Sequence, residues 1–403
     1  MFGKTSTAVL LMAWVGWIAP VHAGEVPAAS AAGAPRLFTP EGRPADPNFF
    51  PVGVWLQQPR HAARYQAAGI NLYVGLWEGP TREQLTELAT AGMPVICAQN
   101  ALGLENRENP LIAAWMHGDE PDNAQSLGPG LGYGPPVLPE TTVGDYRRIR
   151  AADPSRPVML NLGQGVAWDN YGGRGVRRNH PEDYREYLAG GDIASFDIYP
   201  VVHDSPEIEG KLEFVARGVK RLGGWTRNEK PVWSCIECTH ISNPQAKATP
   251  AQVRAEVWMA LVAGARGIIY FVHQFVPPAS DAALLNDPAM LAAVTAINRQ
   301  IRELAAVLNS PTAAGAVTVT SPQGRAPVAT LLKRAAGGDY VFAVNLRNQA
   351  VQVTFLLHGN ESSGRAEVLD ESRSLPVQGG NYSDEFAPYA VHLYRVNAGA
   401  RTE

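Results

Sequence analysis

The chain has 403 residues, of which 45% are hydrophobic and 18% charged, and its net charge is −4. The composition is ordinary for a soluble globular protein, and the length exceeds an average domain, so one large domain and a smaller one are predicted. The slightly acidic balance gives no reason to expect nucleic acid or an anionic membrane surface as a partner.

The first 23 residues predict a secretory signal peptide. Lys4 is followed by an apolar stretch over 8–18 and by the small-residue end Val21-His-Ala23, and the apolar stretch is too short for a membrane span. The alternative is an uncleaved anchor. The chain is therefore expected to be exported to the periplasm or the extracellular space. Residues 24–49, rich in Ala, Pro and Gly, are predicted to be a flexible leader, and no later stretch approaches a membrane span.

The three cysteines are Cys97, Cys235 and Cys238, so at most one disulfide can form within the chain. The Cys235-x-x-Cys238 spacing invites a redox interpretation. That motif belongs at a helix N-terminus, however, and this pair lies in an apolar run typical of a buried strand. Buried structural thiols are the prediction.

Residues 50–310 alternate between short apolar runs and helical patterns. The runs predict strands at 51–57, 70–77, 94–99, around Trp115, 157–162, 193–201, 231–238 and 267–273. The helical patterns lie at 61–68, 81–92, 141–152, 181–189, 207–222, 249–264 and 287–308. Eight strands in this order predict a closed (β/α)8 barrel. An open doubly wound sheet is the competitor, but no Gly-rich dinucleotide turn follows the first strand.

Beyond residue 310 the helical signal ends. Short strand patterns separated by Gly, Asn and Ser turns continue to about residue 396, so 311–403 is predicted to be a C-terminal antiparallel β-sandwich. Two loops inside the barrel region, 122–139 and 164–180, carry no secondary-structure signal, and loops of this length inside a compact domain are often functional.

Two carboxylates are predicted to carry the chemistry. Glu237 interrupts the apolar run at 231–238, and Glu120 ends the run that begins at Trp115. Both fall where barrel strands end, which is where barrel enzymes place their active sites. Such a pair suits glycosidic bond cleavage, with Glu237 as nucleophile and Glu120 as acid/base. The alternatives are a helix first-turn acid for Glu120 and a paired structural carboxylate for Glu237.

Further polar and aromatic residues at strand ends are candidate substrate contacts. Tyr199 lies two residues after Asp197 on the same strand face and could hold the nucleophile ionised; a core tyrosine is the alternative. Aromatic faces suit sugar C–H faces, and amides suit sugar hydroxyls. The remaining predicted contacts are Asp119, Asn161, Trp55, Trp77, Asn100 or Gln99, Trp168 and His273, with Tyr171, Arg174, Asn179 and His180 as outer candidates.

A metal-dependent hydrolase is a weaker alternative. His117, His203, His240 and His273 follow different strands, but no His-x-His pair occurs on the first strand and no carboxylate ends the eighth. No metal and no other cofactor is predicted. No serine nucleophile elbow and no phosphate-binding loop is present.

Residues 50–310 resemble the retaining glycoside hydrolases of clan A. The segments that carry the resemblance are Gly69-Ile-Asn-Leu-Tyr-Val74, Trp115 through Glu120, Ser195 through Pro200 and Pro231 through Glu237. The resemblance implies a barrel with its acid/base at the end of strand four, Glu120, and its nucleophile at the end of strand seven, Glu237. The trailing sandwich is similar to the accessory β domain of several of these families. Asp119 departs from the clan, which usually has Asn there to bind the sugar 2-hydroxyl.

The hypothesis is therefore an exported β-glycoside hydrolase that acts on an oligo- or polysaccharide with retention. Asp119 motivates a second hypothesis, a non-catalytic carbohydrate-binding barrel.

Overall fold

The computed structural model describes residues 36–322, 324–360 and 363–397. The predicted signal peptide, and the part of the predicted leader that precedes residue 36, lie outside these residues. Within the described ranges no helix is both long and apolar enough to cross a membrane.

Eight parallel strands form a closed barrel in chain order, and the last strand pairs with the first. The strands are β1 (Val52–Trp55), β2 (Leu72–Val74), β3 (Val95–Ala98), β4 (Ile112–Met116), β5 (Val158–Leu162), β6 (Ile193–Phe196), β7 (Val232–Glu237) and β8 (Gly267–Phe271). Nearly every residue in them is buried, as expected when a parallel sheet is covered on both faces. The predicted barrel is confirmed.

Helices and short 3-10 turns surround the barrel. The α-helices are α1 (Ala62–Ala67), α2 (Arg82–Ala91), α3 (Ala101–Glu105), α4 (Pro139–Ala152), α5 (Asp183–Tyr187), α6 (Glu213–Trp225), α7 (Pro250–Ala263), α8 (Pro288–Glu303) and α9 (Ala305–Asn309). The capping boxes at Thr81 and Thr249 are present, and Gly92 and Gly264 end α2 and α7 in the left-handed conformation. Local side-chain chemistry thus sets these boundaries.

Residues 36–49 differ from the flexible segment that their composition predicts. Phe38 is buried, and its ring lies 5.8 Å from that of Trp233 and 6.1 Å from that of Phe49. Arg43 donates a hydrogen bond to the Glu229 carbonyl, 3.2 Å away. This segment therefore covers the barrel at the end where β6 and β7 begin, because the apolar Phe38 side chain fills space beside Trp233.

The C-terminal part consists of two antiparallel sheets. One has the order β10-β9-β13-β16 and the other β11-β12-β17-β14-β15. Their strands are β9 (Val317–Ser321), β10 (Gly324–Arg325), β11 (Val328–Ala335), β12 (Gly338–Asn345), β13 (Val351–Leu357), β14 (Gly364–Val368), β15 (Arg373–Val377), β16 (Asn381–Phe386) and β17 (Val391–Val396). The rings of Phe355, Tyr382 and Tyr394 pack together between the sheets, which confirms the predicted sandwich.

Helix α7 joins the two parts of the fold. It packs on the barrel, and its other face contacts the sandwich, where the ring of Trp258 lies 5.3 Å from that of Phe342. Arg254 donates to the carbonyl of Val391 across the same contact, at 2.8 Å. Burial of α7 on both sides explains why its apolar residues are not confined to one face.

Candidate functional site

Three acidic side chains converge at the end of the barrel where the strands finish. Asp119 and Glu120 follow β4, and Asp197 follows β6 directly. Glu120 is 5% exposed and Asp197 8% exposed, and the backbone of Glu120 adopts the left-handed conformation, φ 44°. Such a conformation is uncommon outside glycine and often occurs at functional sites. We call Asp119, Glu120 and Asp197 the carboxyl cluster.

Glu120 and Asp197 share a hydrogen bond between their carboxyl groups. Two ionised carboxylates cannot form such a bond, so one of them holds a proton. Burial, together with the charges of Asp197 and Asp119, raises the pKa of Glu120 well above its ordinary value. Burial also raises the pKa of Asp197, to about 6. The proton therefore resides on Glu120, which can serve as an acid at neutral pH.

An amide side chain also contacts Glu120. Asn123 donates from Nδ2 to Glu120 Oε2 at 2.7 Å. This bond opposes the effect of burial, because a donor stabilises the ionised carboxylate that Glu120 would become after giving up its proton. Gln125 donates to the backbone carbonyl of Glu120 at 3.2 Å. Both the side chain and the main chain of Glu120 therefore accept hydrogen bonds from the segment that follows it.

Asp119 belongs to a hydrogen-bonded row across three strands. Asn161 on β5 donates to Asp119 Oδ1 at 2.9 Å, and Ser195 on β6 donates to Asn161 Oδ1 at 2.7 Å. Burial raises the pKa of Asp119 to about 7, with the Asn161 bond opposing that rise and the charge of Asp197 adding to it. The row fixes the direction in which the Asp119 carboxyl points. The structure thus brings the predicted residues Asp119 and Asn161 together.

Asp122 anchors the segment that carries Glu120. It is completely buried, and it accepts hydrogen bonds from the Gly163 N–H and the Tyr184 hydroxyl, each at 2.9 Å. Arg174 donates to the Asp122 carbonyl at 3.2 Å and forms an ion pair with Asp183. The sequence analysis did not single out Asp122, and it named Arg174 as an outer candidate for substrate contact, whereas Arg174 is 1% exposed. The signal in the sequence that could have identified Asp122 is the high density of acidic residues in Asp119-Glu120-Pro-Asp122.

Tyr199 and Cys235 face the carboxyl cluster from neighbouring strands. The Tyr199 hydroxyl interacts with Asp197 and with the Cys235 thiol, and its ring lies 5.2 Å from that of Phe271. Burial and the three carboxyl charges raise the pKa of Cys235 well above its ordinary value, so it stays a thiol. Cys97, Cys235 and Cys238 are all free and buried.

Glu237, at the end of β7, has its own set of hydrogen-bond partners. It is completely buried, and its two oxygens accept the backbone N–H groups of Val201 at 2.7 Å and Val202 at 3.0 Å. Its carboxyl group is hydrogen-bonded to Glu256 on α7. Burial raises the pKa of Glu237 to about 7. The pairing of Glu120 with Glu237 as acid and nucleophile stays a prediction; the contacts that the structure gives Glu237 are those with the β6 loop and with α7.

The other predicted contacts have different surroundings. Asn100 caps α3: its side chain accepts from Gly103 N at 2.8 Å and donates to the Pro80 carbonyl at 2.9 Å. These two bonds hold the amide in place, and the sugar contact predicted for Asn100 stays a prediction. Trp168 donates to Glu207 at 2.6 Å, and its ring lies 5.3 Å from that of His203. Trp77 is 43% exposed.

Trp55 ends β1, and His273 lies in the segment that follows β8, the strand paired with β1. Trp55 is 7% exposed, and a ring nitrogen of His273 lies 3.2 Å from the Trp55 carbonyl. Burial lowers the pKa of His273. Both predicted contacts thus lie at the barrel mouth, where His273 is neutral at pH 7.

Exposed apolar side chains concentrate at this same end of the barrel. The large hydrophobic residues that are exposed within the described ranges all follow β2, β4, β5 or β8; they are Trp77, Leu127, Leu131, Tyr133, Leu138, Val176 and Phe275. Such a patch commonly marks a binding surface. The four histidines considered as metal ligands do not meet, and no group of three or more potential ligands suited to a metal ion occurs in the described residues.

No family model matches the chain, and no curated protein matches it. Solved structures do. Gan42B, a GH42 β-galactosidase, has 10% identity and a TM-score of 0.51, with 87% of this chain and 98% of that chain covered. A catalytic mutant of Gan42B from G. stearothermophilus has 9% identity and a TM-score of 0.50, with the same shares of both chains covered. A GH30 endoxylanase from Clostridium papyrosolvens has 12% identity and a TM-score of 0.45, with 87% of this chain and 96% of that chain covered. The two Gan42B structures show a shared fold.

Proposed function

We propose that this protein is a retaining β-glycoside hydrolase in which Glu120 is the general acid/base. The observation that carries the proposal is the hydrogen-bonded pair of Glu120 and Asp197 at the carboxyl ends of β4 and β6. A buried carboxylic acid that keeps its proton at neutral pH can protonate the oxygen of a leaving group, which is the first requirement of glycosidic cleavage.

The same group can complete the reaction. Once Glu120 has given its proton away, the Asn123 amide stabilises the carboxylate that remains, and this carboxylate can then take a proton from water. The barrel mouth also offers the apolar surfaces that sugar rings contact, among them Trp77 and Phe275. Gan42B, which has the same fold at a TM-score of 0.51, is a β-galactosidase, and this likeness supports the proposed reaction class.

Glu237 has a positioning role in this proposal. By accepting the N–H groups of Val201 and Val202, it fixes the loop that follows Tyr199. A Glu237→Gln substitution keeps one acceptor oxygen there, so we expect kcat to fall by no more than about 10-fold, against about 10²- to 10⁴-fold for loss of an acid/base. A loss as large as that of Glu120→Gln, with azide restoring Glu237→Ala as an α-glycosyl azide, would instead establish Glu237 as the nucleophile.

The experiment that tests the function is hydrolysis of a panel of aryl β-glycosides and β-linked oligosaccharides by the full chain and by Glu120→Gln. Glu140→Gln, an exposed side chain at the start of α4, is the matched control. We expect turnover by the wild type and by the control, loss in Glu120→Gln, and a β-configured product in NMR spectra taken during the reaction. An α-configured product would contradict retention.

A non-catalytic carbohydrate-binding barrel is the second candidate, and the engagement of the buried Glu237 carboxyl by Val201, Val202 and Glu256 favours it. It predicts calorimetric binding of an oligosaccharide that is unchanged in Glu120→Gln, without turnover of any glycoside by the wild type.

Export to the periplasm or the extracellular space is proposed from residues 1–23. Expression of the full chain in a bacterium with a signal peptidase, followed by N-terminal sequencing, is expected to give a mature protein that begins at Gly24.

A further inference from the structure

A loop without charged side chains leads away from the carboxyl cluster. Residues 123–139 contain no Asp, Glu, Lys, Arg or His. The start of the loop is bonded to the acid, because Asn123 donates to the Glu120 side chain and Gln125 donates to its backbone carbonyl. Exposed loops usually carry charged side chains, which water solvates well. An uncharged loop of this length beside the acid therefore indicates a partner other than water.

The middle of this loop is a hairpin with an aliphatic tip. Ser126 and Tyr133 pair its two arms, and the Leu127 N–H donates to the Gly132 carbonyl at 3.0 Å. Leu127 is 56% exposed, and Leu131 is 71% exposed. Both leucines therefore present their side chains outwards, although nothing polar in them interacts with water.

The apolar surface continues on the neighbouring loop. The Ala124 N–H donates to the Gly173 carbonyl at 2.8 Å, which joins the hairpin to the loop after β5. The next exposed charged side chains along the two loops are Glu140 and Arg178. Seven large hydrophobic residues are exposed within the described ranges, and the five that lie on these two loops, here called the apolar rim, are Leu127, Leu131, Tyr133, Leu138 and Val176.

The chemistry of the apolar rim suits hydrocarbon better than sugar or protein. Sites for polar ligands such as sugars place hydrogen-bonding groups among their apolar contacts, and four of the five side chains in the rim have no such group. The residues that dominate binding energy at protein interfaces are Trp, Tyr and Arg, with Leu and Val under-represented. Leu and Val are, in contrast, side chains that partition favourably into a bilayer.

The backbone of the hairpin is also suited to a lipid surface. Hydrocarbon tolerates backbone only where its polar groups are bonded within the protein, and the Leu131 N–H donates to the Gly128 carbonyl at 3.1 Å, next to the bond between Leu127 and Gly132. Tyr133, which is 50% exposed, follows the tip, and tyrosine favours the boundary between hydrocarbon and water. The order of aliphatic tip, tyrosine and polar base matches the order of layers in a lipid surface.

We propose that the barrel mouth docks on a neutral lipid surface by inserting Leu127 and Leu131, and that the substrate is a β-glycoside whose leaving group is a lipid in that surface. The lipid is neutral because residues 123–139 contain no Lys or Arg to attract anionic headgroups. Asn123 and Gln125 at the base of the hairpin are bonded to Glu120, so docking brings the acid to the headgroups.

The part of this inference that concerns the substrate rests on the proposed hydrolase function. The bond from C1 to the lipid oxygen breaks, that oxygen takes the proton of Glu120, and the lipid leaves as an alcohol. Water supplies the oxygen that finally occupies C1, and its proton returns to Glu120. The products are the free sugar and the lipid alcohol.

The first test is flotation of the full chain with vesicles of phosphatidylcholine at low and at high ionic strength. We expect binding that salt does not weaken, because no charge contributes to it. Leu127→Ser/Leu131→Ser should lower the partition coefficient by at least about 10-fold. The matched control, Leu127→Met/Leu131→Met, keeps two apolar side chains and should remain within about 3-fold of the wild type.

A second readout locates the tip directly. In Leu131→Trp, the fluorescence added relative to the wild type should be quenched by phosphatidylcholine with brominated acyl chains. Absence of vesicle binding, or binding only to anionic vesicles that high salt abolishes, would overturn the docking. Self-association or polysaccharide binding that is lost in Leu127→Ser/Leu131→Ser, without binding to phosphatidylcholine, would also overturn it and would assign the apolar rim to a second copy or to a sugar chain.

The substrate class is tested with alkyl β-glycosides of the sugar that the aryl glycoside panel identifies. From the ethyl to the dodecyl glycoside, both kept below the concentration at which they form micelles, kcat/KM should rise by at least about 10-fold. No rise would overturn the lipid substrate. Turnover of aryl glycosides without vesicle binding would overturn this inference and leave the hydrolase function in place. Vesicle binding without turnover of any glycoside would overturn the hydrolase function and, with it, the lipid substrate.

Discussion

Glu237 and Glu256 form a carboxyl pair in a completely buried site between β7 and α7. The N–H groups of Val201 and Val202 stabilise the ionised form of Glu237, so the shared proton resides on Glu256. Burial and the charge of Glu237 raise the pKa of Glu256 well above its ordinary value. Such a pair stabilises the fold only while it keeps its proton.

The pair predicts how stability depends on pH. Because both pKa values are higher in the folded than in the unfolded protein, the folded protein binds more protons, and its stability falls as the pH rises from about 4.5 through about 7. Each proton contributes a slope of up to about 1.4 kcal/mol per pH unit. Glu256→Gln supplies a permanent donor, so we expect a shallower fall in the unfolding free energy across this range, measured by chemical denaturation. An unchanged slope, equal to that of Glu140→Gln, would contradict the shared proton.

Replacement of the acid is expected to separate activity from stability. Burial and the charges of Asp197 and Asp119 all disfavour the ionised form of Glu120. Glu120→Gln removes this unfavourably placed ionisable group. We expect kcat/KM to fall by about 10²- to 10⁴-fold, while the thermal midpoint at pH 7 rises. A gain of 1 kcal/mol corresponds to about 2 to 4 °C in a protein of roughly 150 to 250 residues and to a smaller shift in a longer chain. A lower midpoint together with the lost activity would point to a structural role for Glu120.

Asn123 is expected to set the upper end of the pH range of activity. Its Nδ2 donates to Glu120 Oε2 and favours the ionised form, so its loss raises the pKa of Glu120 further. The basic limb of the pH profile of kcat/KM reports loss of the acid's proton. In Asn123→Ala this limb should therefore move to higher pH, by about one unit for a hydrogen bond to a charged group.

The control for this measurement is Asn48→Ala, an exposed residue in the segment that covers the opposite end of the barrel. Its pH profile should match that of the wild type. A shift of the Asn123→Ala limb to lower pH would show that the amide does not stabilise the Glu120 carboxylate.

The contact between α7 and the sandwich is expected to contribute to the stability of the whole chain. The Phe342 ring lies 5.3 Å from that of Trp258, and both side chains are completely buried. Phe342→Ala should lower the unfolding free energy by about 3 to 5 kcal/mol. Because Trp258 belongs to a barrel helix, we also expect faster thermal loss of the barrel's activity. Unfolding of the sandwich at lower temperature with the barrel unaffected would mean that the two parts are not coupled.

Sequence alone determined the architecture. Apolar runs of strand length alternating with capped helices predicted a closed parallel barrel, and Thr81 and Thr249 marked two helix starts through side chains three residues away. It also located Glu120 and Asp119 at a strand end, because the chain direction places every parallel strand end at one face of the barrel. These features follow from neighbours in the chain, and local patterns reveal them.

Only the tertiary structure decided which acids act together. The direction of Glu237 depends on the N–H groups of Val201 and Val202 and on Glu256, and the position of Glu120 depends on Asp197. Asp122 becomes an anchor only when Gly163 and Tyr184 reach it. Hydrogen bonds and desolvation set the state of a buried carboxyl, and its partners come from elements far apart in the chain, so periodicity and spacing do not predict them.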